Sequence, residues 1–240
     1  ACPLRLRKKC GGDPFPYRRG RRILKNSKKT FSFTDFCAIL VKKIRPNKKG
    51  ATTTENRTTA DGSAERWEAL ENACRNCTRC TLCKTKHNTV FGVGNKNARL
   101  MFVGEAPGEQ EDLSGIPFVG AAGQLLDKYL SAVGISRDDV YIANILKCRP
   151  PRNRDPLPEE QDACLNFLRE QTCLISPKVI VCLGRISAAR LIKPDFKITK
   201  EHGIWFRKGA FRMCAVYHPS ALLRDPSKRE DMLKDMIEIA

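Results

Sequence analysis

The cysteines of this chain constrain its fold more than any other feature, because some of them lie far apart in the sequence. Cys77 and Cys80 form a C-x-x-C pair, whereas Cys148 and Cys164 follow only much later. Two thiolates from a local pair and two from distant points make a four-sulfur site that joins separate segments of one domain. Ligation by thiolates alone suits zinc or an iron–sulfur cluster. The sequence therefore predicts a metal centre.

The residues alone leave the choice of cysteines open. Cysteines recur at every third position around the C-x-x-C pair, at Cys74, Cys77, Cys80 and Cys83. Several C-x-x-C pairs are therefore possible, and one such pair is as typical of a zinc knuckle or a redox pair as of a cluster. The bacterial ferredoxin spacing ends in Cys-Pro, and no Cys-Pro follows here.

The number of cysteines also bears on the cellular compartment. Twelve cysteines would indicate disulfides in a small secreted protein. However, the chain shows no apolar run of signal-peptide length, and no stretch approaches the roughly 20 apolar residues of a membrane span. We therefore expect an intracellular protein of the cytoplasm or nucleoid, with metal-bound and buried free cysteines. The Arg-rich, acid-poor start leaves targeting to an organelle as an alternative.

The net charge of +18 is concentrated in the first quarter of the chain. Residues 1–62 contain 17 Lys and Arg against 4 Asp and Glu, whereas the other residues contain 27 against 22. We predict a basic, low-order extension over residues 1–62 and one folded domain over residues 63–240. A basic extension indicates a polyanionic partner, nucleic acid above all. A membrane surface, or a solvated tail with no partner, is the alternative.

Downstream of the extension, apolar runs typical of buried strands alternate with helical patterns. The predicted strands cover residues 99–104, 140–146, 178–184 and 211–217. The predicted helices cover residues 64–74, 124–133, 158–171, 186–192 and 231–239. This alternation predicts an α/β fold with three α/β/α layers around a central, mostly parallel four-stranded sheet. Ligands of such folds bind at the carboxyl ends of the strands, where the motifs that follow strands should converge.

The segment G-E-A-P-G-E-Q-E-D, residues 104–112, follows the first predicted strand. Its glycines allow the backbone to approach a ligand closely. Its four acids, which suit the positioning of a water molecule or the stabilisation of positive charge on a sugar, are Glu105, Glu109, Glu111 and Asp112. An ordinary acidic loop is the alternative. A nucleoside triphosphatase is excluded because the segment lacks the P-loop Lys-Ser pair.

Two further residues suit recognition of a flat heterocycle. Phe118 lies in G-I-P-F-V-G, a rigid loop whose aromatic face can stack on a base. Asn144 ends the second predicted strand, and its amide offers one donor and one acceptor that match the O4 and N3–H edge of uracil. A core position for Phe118 and a turn position for Asn144 are the alternatives.

His218 follows the last predicted strand, in the motif Y-H-P-S. A histidine at this strand end can donate a hydrogen bond to a leaving anion. An apolar pair and a cation follow this motif: Leu222, Leu223 and Arg224. The leucines suit insertion into a base stack, and the arginine suits contact with a phosphate. A structural histidine with a core-facing leucine pair is the alternative.

Together these segments resemble the family 4 uracil-DNA glycosylases, the iron–sulfur type of the uracil-DNA glycosylase superfamily. The resemblance runs from about Cys74 to the C-terminus, and the basic extension has no counterpart in the family. It rests on five motifs in the same order: V-F-G-V-G-N, F-V-G-E-A-P-G-E-Q-E-D, G-I-P-F-V-G-A-A-G-Q-L-L, N-I-L-K-C-R-P-P-R-N-R and H-P-S. Each motif alone is modest evidence, whereas five in order are specific.

The resemblance implies a structural 4Fe–4S cluster. Its ligands would be Cys77, Cys80, Cys148 and Cys164. Cys74 and Cys83 would then be unligated, unless a shift in register exchanges one of them for a ligand. The cluster would anchor the loop after Cys148, from which three arginines would contact DNA phosphates: Arg149, Arg152 and Arg154.

The resemblance also implies a substrate and its contacts. Uracil turned out of DNA would stack on Phe118 and pair with Asn144. The pocket would be lined by Gly104, Glu105 and Ala106. We expect a monomer that acts on uracil in single- or double-stranded DNA and has no membrane partner.

The implied reaction is hydrolysis of the N-glycosidic bond, which releases uracil and leaves an abasic site, as in base excision repair. His218 would stabilise negative charge on uracil O2. Either Glu105 or Glu111 would position the water or stabilise the sugar cation, and the sequence does not decide between them. No lyase step is expected, because no pocket lysine is evident.

Three rival hypotheses remain at this level. A DNA-binding relative without activity, or one that traps DNA covalently, would share the fold. A redox-sensing protein would use the cluster but would leave the H-P-S and Phe118 loops unexplained. A zinc-bound scaffold would be colourless, whereas a 4Fe–4S protein is brown.

Overall fold

A mixed β-sheet forms the centre of the protein. The computed structural model describes residues 58–240, with side chains from residue 62 onward, so most of the predicted basic extension lies outside the described residues. The strands in this part of the chain are β1 (Val93–Gly94), β2 (Leu100–Gly104), β3 (Tyr141–Asn144), β4 (Val179–Leu183), β5 (Phe206–Lys208) and β6 (Phe211–Val216).

The strands lie in the order β1-β3-β2-β4-β6-β5. The four central strands run parallel, and the edge strands β1 and β5 pair antiparallel with their neighbours. The predicted parallel core is therefore confirmed. The prediction of four strands falls two short of the six in the described residues, because edge strands of two and three residues are too short to show an alternating pattern.

Helices cover both faces of the sheet. Those in the described residues are α1 (Thr58–Arg75), α2 (Glu109–Ser114), α3 (Ala121–Ala132), α4 (Pro158–Ile175), α5 (Arg185–Leu191), α6 (Ile198–Glu201), α7 (Pro219–Arg224) and α8 (Arg229–Ile239). Helix α1 begins before residue 63, so the predicted domain boundary falls inside this helix. None of these helices has both the length and the apolar character that crossing a membrane requires.

Alternate residues along each strand face opposite layers. On β2, Met101 and Val103 join an apolar cluster with α1, α4 and α5, whereas Phe102 joins a second cluster with α3, α7 and α8. All three side chains are almost fully buried. Burial of each such side chain stabilises the fold by about 1.5–3 kcal/mol. Because both faces are covered, the strands are nearly continuous apolar runs. The predicted three-layer α/β/α fold is confirmed.

Strand order places a switch point at the carboxyl end of β2. The chain leaves β2 for β3 on one side, and later pairs β4 with the other side of β2. Backbone hydrogen bonds continue this ladder past the strand end, from Ile145 N–H to the Gly104 carbonyl and from Leu146 N–H to the Glu105 carbonyl. A crevice opens at such a point in parallel sheets. The first motif therefore begins at the natural ligand site of the fold.

Candidate active site

A pocket of about 490 Å³ lies at the carboxyl ends of the parallel strands. Loops that follow β2, β3, β4 and β6 all contribute to its wall. The structure brings the following predicted residues together there: Glu105, Ala106, Glu111, Phe118, Asn144, Arg154, His218 and Arg224. Residues far apart in the sequence thus meet in one place because the strands that carry them are neighbours.

Gly104 allows the Phe118 ring to lie against the end of β2. A methyl group at Gly104 would collide with Oδ1 of Asn144 and lie 2.6 Å from Cζ of Phe118. Phe118 itself has a backbone φ of 54°, a left-handed conformation that is costly for a bulky residue. Its ring centroid lies 5.7 Å from that of His218. The ring is mostly buried, and the part that it exposes forms pocket wall.

Asn144, the last residue of β3, carries an unsatisfied acceptor. Its side chain is 2% exposed, and Oδ1 has no hydrogen-bond partner in the part of the chain that the structure describes. Leaving a buried polar atom unpaired costs about 1–3 kcal/mol. An acceptor kept in this state inside a pocket indicates a ligand that brings a donor.

His218 is held as a neutral donor. Its Nδ1 lies 3.2 Å from the backbone nitrogen and 2.7 Å from Oγ of Ser220. A backbone N–H can only donate, so Nδ1 accepts and the ring proton lies on Nε2. Burial, helped by the charge of Arg224, lowers the pKa of His218 to about 4. The imidazole is therefore uncharged at neutral pH and presents Nε2–H as a donor.

Glu105 has the properties of a base. It is the first residue after β2, and burial followed by the charge of Asp155 raises its pKa to about 7. The charges of Arg185 and Arg224 act in the opposite direction. A carboxyl group with such a pKa both ionises and accepts protons near neutral pH.

Glu111 has a different role in the geometry. Its carboxylate accepts backbone N–H groups from Gly108 at 3.0 Å, Val119 at 3.0 Å and Gly120 at 2.8 Å. The side chain therefore ties the turn after β2 to the loop that carries Phe118. Glu111 is the third residue of α2, and its spacing from Gly108 is that of a capping box. The sequence shows the spacing, but glycine in place of Ser or Thr at the first position makes the signal weak.

Asp112 fixes a second loop to the same helix. It is 1% exposed, and its Oδ2 lies 2.7 Å from Nδ1 of His87, while its Oδ1 accepts the His87 backbone N–H at 3.0 Å. No pattern along the chain predicts this contact of His87, because Asp112 is 25 positions away in the sequence. Two of the four predicted acids are thus engaged in holding the walls of the pocket.

The three arginines predicted to contact phosphate differ in whether other side chains already hold them. Arg154 donates to both carboxylate oxygens of Glu160, at 2.9 and 2.6 Å, and Arg149 donates to Oδ1 of Asn153 at 2.8 Å. Arg152 is exposed, with a left-handed backbone φ of 55°. Only this one of the three makes no hydrogen bond or ion pair within residues 58–240.

The two leucines of α7 lie in opposite environments. Leu222 is 0% exposed and belongs to the apolar core between α7 and the sheet. Its prediction as a DNA contact is not supported, because a core side chain cannot reach a base stack. Leu223 is 43% exposed, and Arg224 lines the pocket. The short helix α7, which the sequence did not reveal, creates this difference.

A second, smaller cavity is lined by cysteines from distant segments: Cys74, Cys77, Cys80, Cys83, Cys148 and Cys164. The last turn of α1, the segment after it, the loop after β3 and α4 all meet here. Cys164 Sγ accepts the backbone N–H of Lys147 at 3.2 Å, and Cys77 Sγ accepts Nε–H of Arg79 at 3.4 Å. Folding therefore brings the four predicted ligand cysteines to the walls of one cavity.

The donor chemistry of this cavity suits a thiolate-ligated metal centre, because its lining residues among those described include six cysteines and no His, Asp or Glu. No group of three or more His, Cys, Asp or Glu side chains in the described residues is already arranged to hold a metal ion. Both zinc and an iron–sulfur cluster are bound by cysteine thiolates, and four of the six cysteines are the predicted ligands.

Comparison with known proteins finds similarity over most of the chain. Residues 91–239 match the model of the family described as uracil DNA glycosylase superfamily. The chain is 46% identical over 185 residues to a type-4 uracil-DNA glycosylase of Archaeoglobus fulgidus, covering 72% of this chain and 92% of the relative. It is 44% identical over 178 residues to that of Thermotoga maritima, covering 72% and 92%. For the enzyme of Pyrobaculum aerophilum the values are 42% over 177 residues, covering 70% and 90%.

Proposed function

The chain belongs to the uracil DNA glycosylase superfamily, and we propose that its strand-end pocket excises uracil from DNA. It is a uracil-DNA glycosylase, an enzyme of DNA repair. The observation that carries the site assignment is the unpartnered Oδ1 of Asn144, which lies in a pocket with an aromatic wall and a neutral histidine donor.

Uracil complements this pocket through two hydrogen bonds on one edge and through the face of its ring. Its N3–H supplies the donor that Oδ1 of Asn144 lacks, and its O4 accepts from the amide NH₂ of the same side chain. Cytosine presents an acceptor at N3 and a donor at N4, so both contacts would be mismatched. The Phe118 ring stacks on the base, a contact worth about 1–3 kcal/mol.

The reaction is hydrolysis of the bond between uracil N1 and the sugar C1′. The electron pair of that bond passes to uracil, and Nε2–H of His218 donates to O2, where negative charge develops. Glu105 accepts a proton from water while the water oxygen bonds to C1′. Glu111 is the positioning residue that holds the Phe118 loop. The residues lining the pocket in the described chain include no lysine, which supports a monofunctional enzyme without a lyase step.

DNA contacts come from the rim of the pocket. We assign phosphate contacts to Arg149, Arg152, Arg154 and Arg224, and contact with the base stack to Leu223. Leu222 is omitted because it lies in the core. The enzyme acts on DNA as a monomer, and the basic residues 1–62 add phosphate contacts that do not depend on base sequence. We place the protein inside the cell, where its substrate is.

The cysteine cavity holds the cofactor of this proposal. Cys77, Cys80, Cys148 and Cys164 would bind a 4Fe–4S cluster, with Cys74 and Cys83 unligated in the same cavity. Such a group supplies a cross-link between distant segments and performs no step of the hydrolysis. Its effect on function is to fix the loop after Cys148, which carries Arg149 and Arg152.

Incubation of the purified protein with a uracil-containing oligonucleotide, followed by hot alkali and a sizing gel, tests the proposal. Cleavage at uracil, and none in a matched thymine oligonucleotide, is expected. A matched pair of variants, Asn144→Ala in the pocket and Asn88→Ala outside it, separates the site from the fold. An intact strand with the wild-type protein, or equal cleavage by both variants, contradicts the pocket assignment.

A further inference from the structure

Lys147 is a lysine buried beside the cysteines. Its side chain is 1% exposed, and it lines the cysteine cavity. The ammonium donates to the carbonyl oxygen of Phe91 at 2.9 Å and to Oε1 of Gln171 at 2.7 Å. Lysine is almost never fully buried unless it is paired. Its position therefore calls for a partner.

The direct partners of this ammonium carry no charge. Gln171 is itself fixed, because its Nε2 donates to the carbonyl of Phe91 and to the Tyr141 hydroxyl, both at 3.0 Å. Among the described residues, no carboxylate forms an ion pair with Lys147. Two of the three ammonium donors have acceptors, and one is left over. Burying an unpaired charge is unfavourable, so an anion nearby would stabilise the ammonium.

The anion available to Lys147 is the cysteine site. Lys147 lines the same cavity as the four predicted ligands Cys77, Cys80, Cys148 and Cys164. Its own backbone N–H also donates to Cys164 Sγ at 3.2 Å. Four thiolates around a 4Fe–4S core leave a net negative charge, and reduction adds one electron to it.

We propose that Lys147 is the buried counter-charge of the cysteine site. A positive charge there stabilises the reduced cluster more than the oxidised one, and it therefore raises the reduction potential. This inference rests on the cofactor of the proposed function. It assigns Lys147 no part in uracil excision, since this residue does not line the active-site pocket.

Two other cations near the sulfurs are less effective, because water screens them. Arg79 donates to Cys77 Sγ at 3.4 Å, but its side chain is exposed and its guanidinium stacks on Phe167 at 4.2 Å. Lys86 is half-buried and donates to the carbonyl of Arg75 and to Thr89. Arg79 therefore provides a matched control, a cation at the same sulfur site on the solvent side.

The test compares full-length wild type, Lys147→Met and Arg79→Met. For each protein we would measure iron and sulfide per chain and then the reduction potential, by a mediated titration followed in visible absorbance. Lys147→Met is expected to have a more negative potential than wild type, with a smaller shift in Arg79→Met. Cleavage of a single-stranded uracil oligonucleotide reports that the fold is retained.

If Lys147→Met does not fold, Gln171→Glu decides. This change places a carboxylate against the ammonium, cancels its field and should lower the potential in the same direction. Loss of iron from a folded Lys147→Met also supports a counter-charge. Iron-loaded variants with the wild-type potential, or with a shift no larger than that of Arg79→Met, overturn the role of Lys147 alone. A wild-type protein without iron overturns the cofactor and this inference together, yet leaves uracil excision unaffected.

Discussion

The strand-end pocket and the cysteine cavity are built in different ways. In the pocket, two functional groups are fixed by the sheet or by backbone hydrogen bonds, Asn144 through its place on β3 and His218 through Ser220. In the cavity, the walls are the end of α1, an inner turn of α4 and loops, and few hydrogen bonds reach the sulfurs. The pocket is formed by the protein alone, whereas the cluster that we propose would hold the walls of the cavity together.

This difference predicts that pocket variants change rates and cysteine variants change stability. The expected effects decrease in the order in which the following five tests are given. A cavity variant that changes the cleavage rate, or a pocket variant that changes the stability of the fold, would contradict this comparison.

Glu105→Gln should have the largest effect. Loss of a general base costs about 10²–10⁴ in kcat. Because the pKa of Glu105 is raised to about 7, it is protonated and inactive at lower pH, and the wild-type rate should rise with pH up to about 7 and then level off. The variant should lose this rise. Single-turnover cleavage rates measured across pH check both the lower rate of the variant and the loss of its pH dependence. The exposed Glu109→Gln is the control. A variant profile that still rises near pH 7 would assign the base elsewhere.

Cys164→Ala should reduce stability instead. Loss of a metal site belongs to the few changes that cost about 4 kcal/mol or more. Thermal unfolding and iron content measure the effect. Cys214→Ala is the control, because this buried sheet cysteine is outside the cavity and loses the same sulfur. Cleavage per folded molecule at saturating DNA should stay near wild type, because the cysteine takes no part in the hydrolysis. Equal loss of stability in both variants would indicate packing, with no contribution from a cluster.

His218→Ala should slow cleavage by about 10²–10³, the usual effect of removing one donor from a developing oxyanion. DNA affinity should not change, since the donor acts mainly in the transition state. Fluorescence anisotropy with a uracil oligonucleotide, beside single-turnover rates, separates the two quantities. A variant whose weaker binding accounts for all of its lost rate would make His218 a binding residue.

Asn144→Asp should weaken recognition of uracil by about 1–3 kcal/mol, because a carboxylate has no donor for O4. Selectivity should fall at the same time, since the amino group of cytosine finds a new acceptor. The ratio of kcat/KM for uracil and cytosine oligonucleotides measures this change. An unchanged ratio would mean that another group reads the base.

Removal of residues 1–57 should have the smallest effect on chemistry. If the basic extension contacts phosphates, DNA affinity falls and its dependence on salt becomes less steep, because fewer counterions are released on binding. Affinity measured at several salt concentrations checks this. The rate at saturating DNA should match wild type, and an unchanged salt slope would leave the extension without a DNA contact.

Patterns local to the chain predicted most of the fold. The four central strands and the five longer predicted helices are present, because apolar periodicity over many residues reports burial directly. The short helices α2, α6 and α7 and the strands β1 and β5 escaped prediction, since elements of two to six residues complete too little of a period. Leu222 shows the consequence, because only the existence of α7 explains why it faces the core while Leu223 faces solvent.

The sequence by itself determined the α/β class and the motifs that follow strands. Both are matters of residue type and order. The tertiary structure alone distinguishes the two acids. Glu111 finds its backbone partners only after folding, and burial together with the charge of Asp155 then raises the pKa of Glu105. The tertiary structure also decided that Lys147 is buried beside sulfur. Burial and long-range charge depend on neighbours in space, and no spacing along the chain records them.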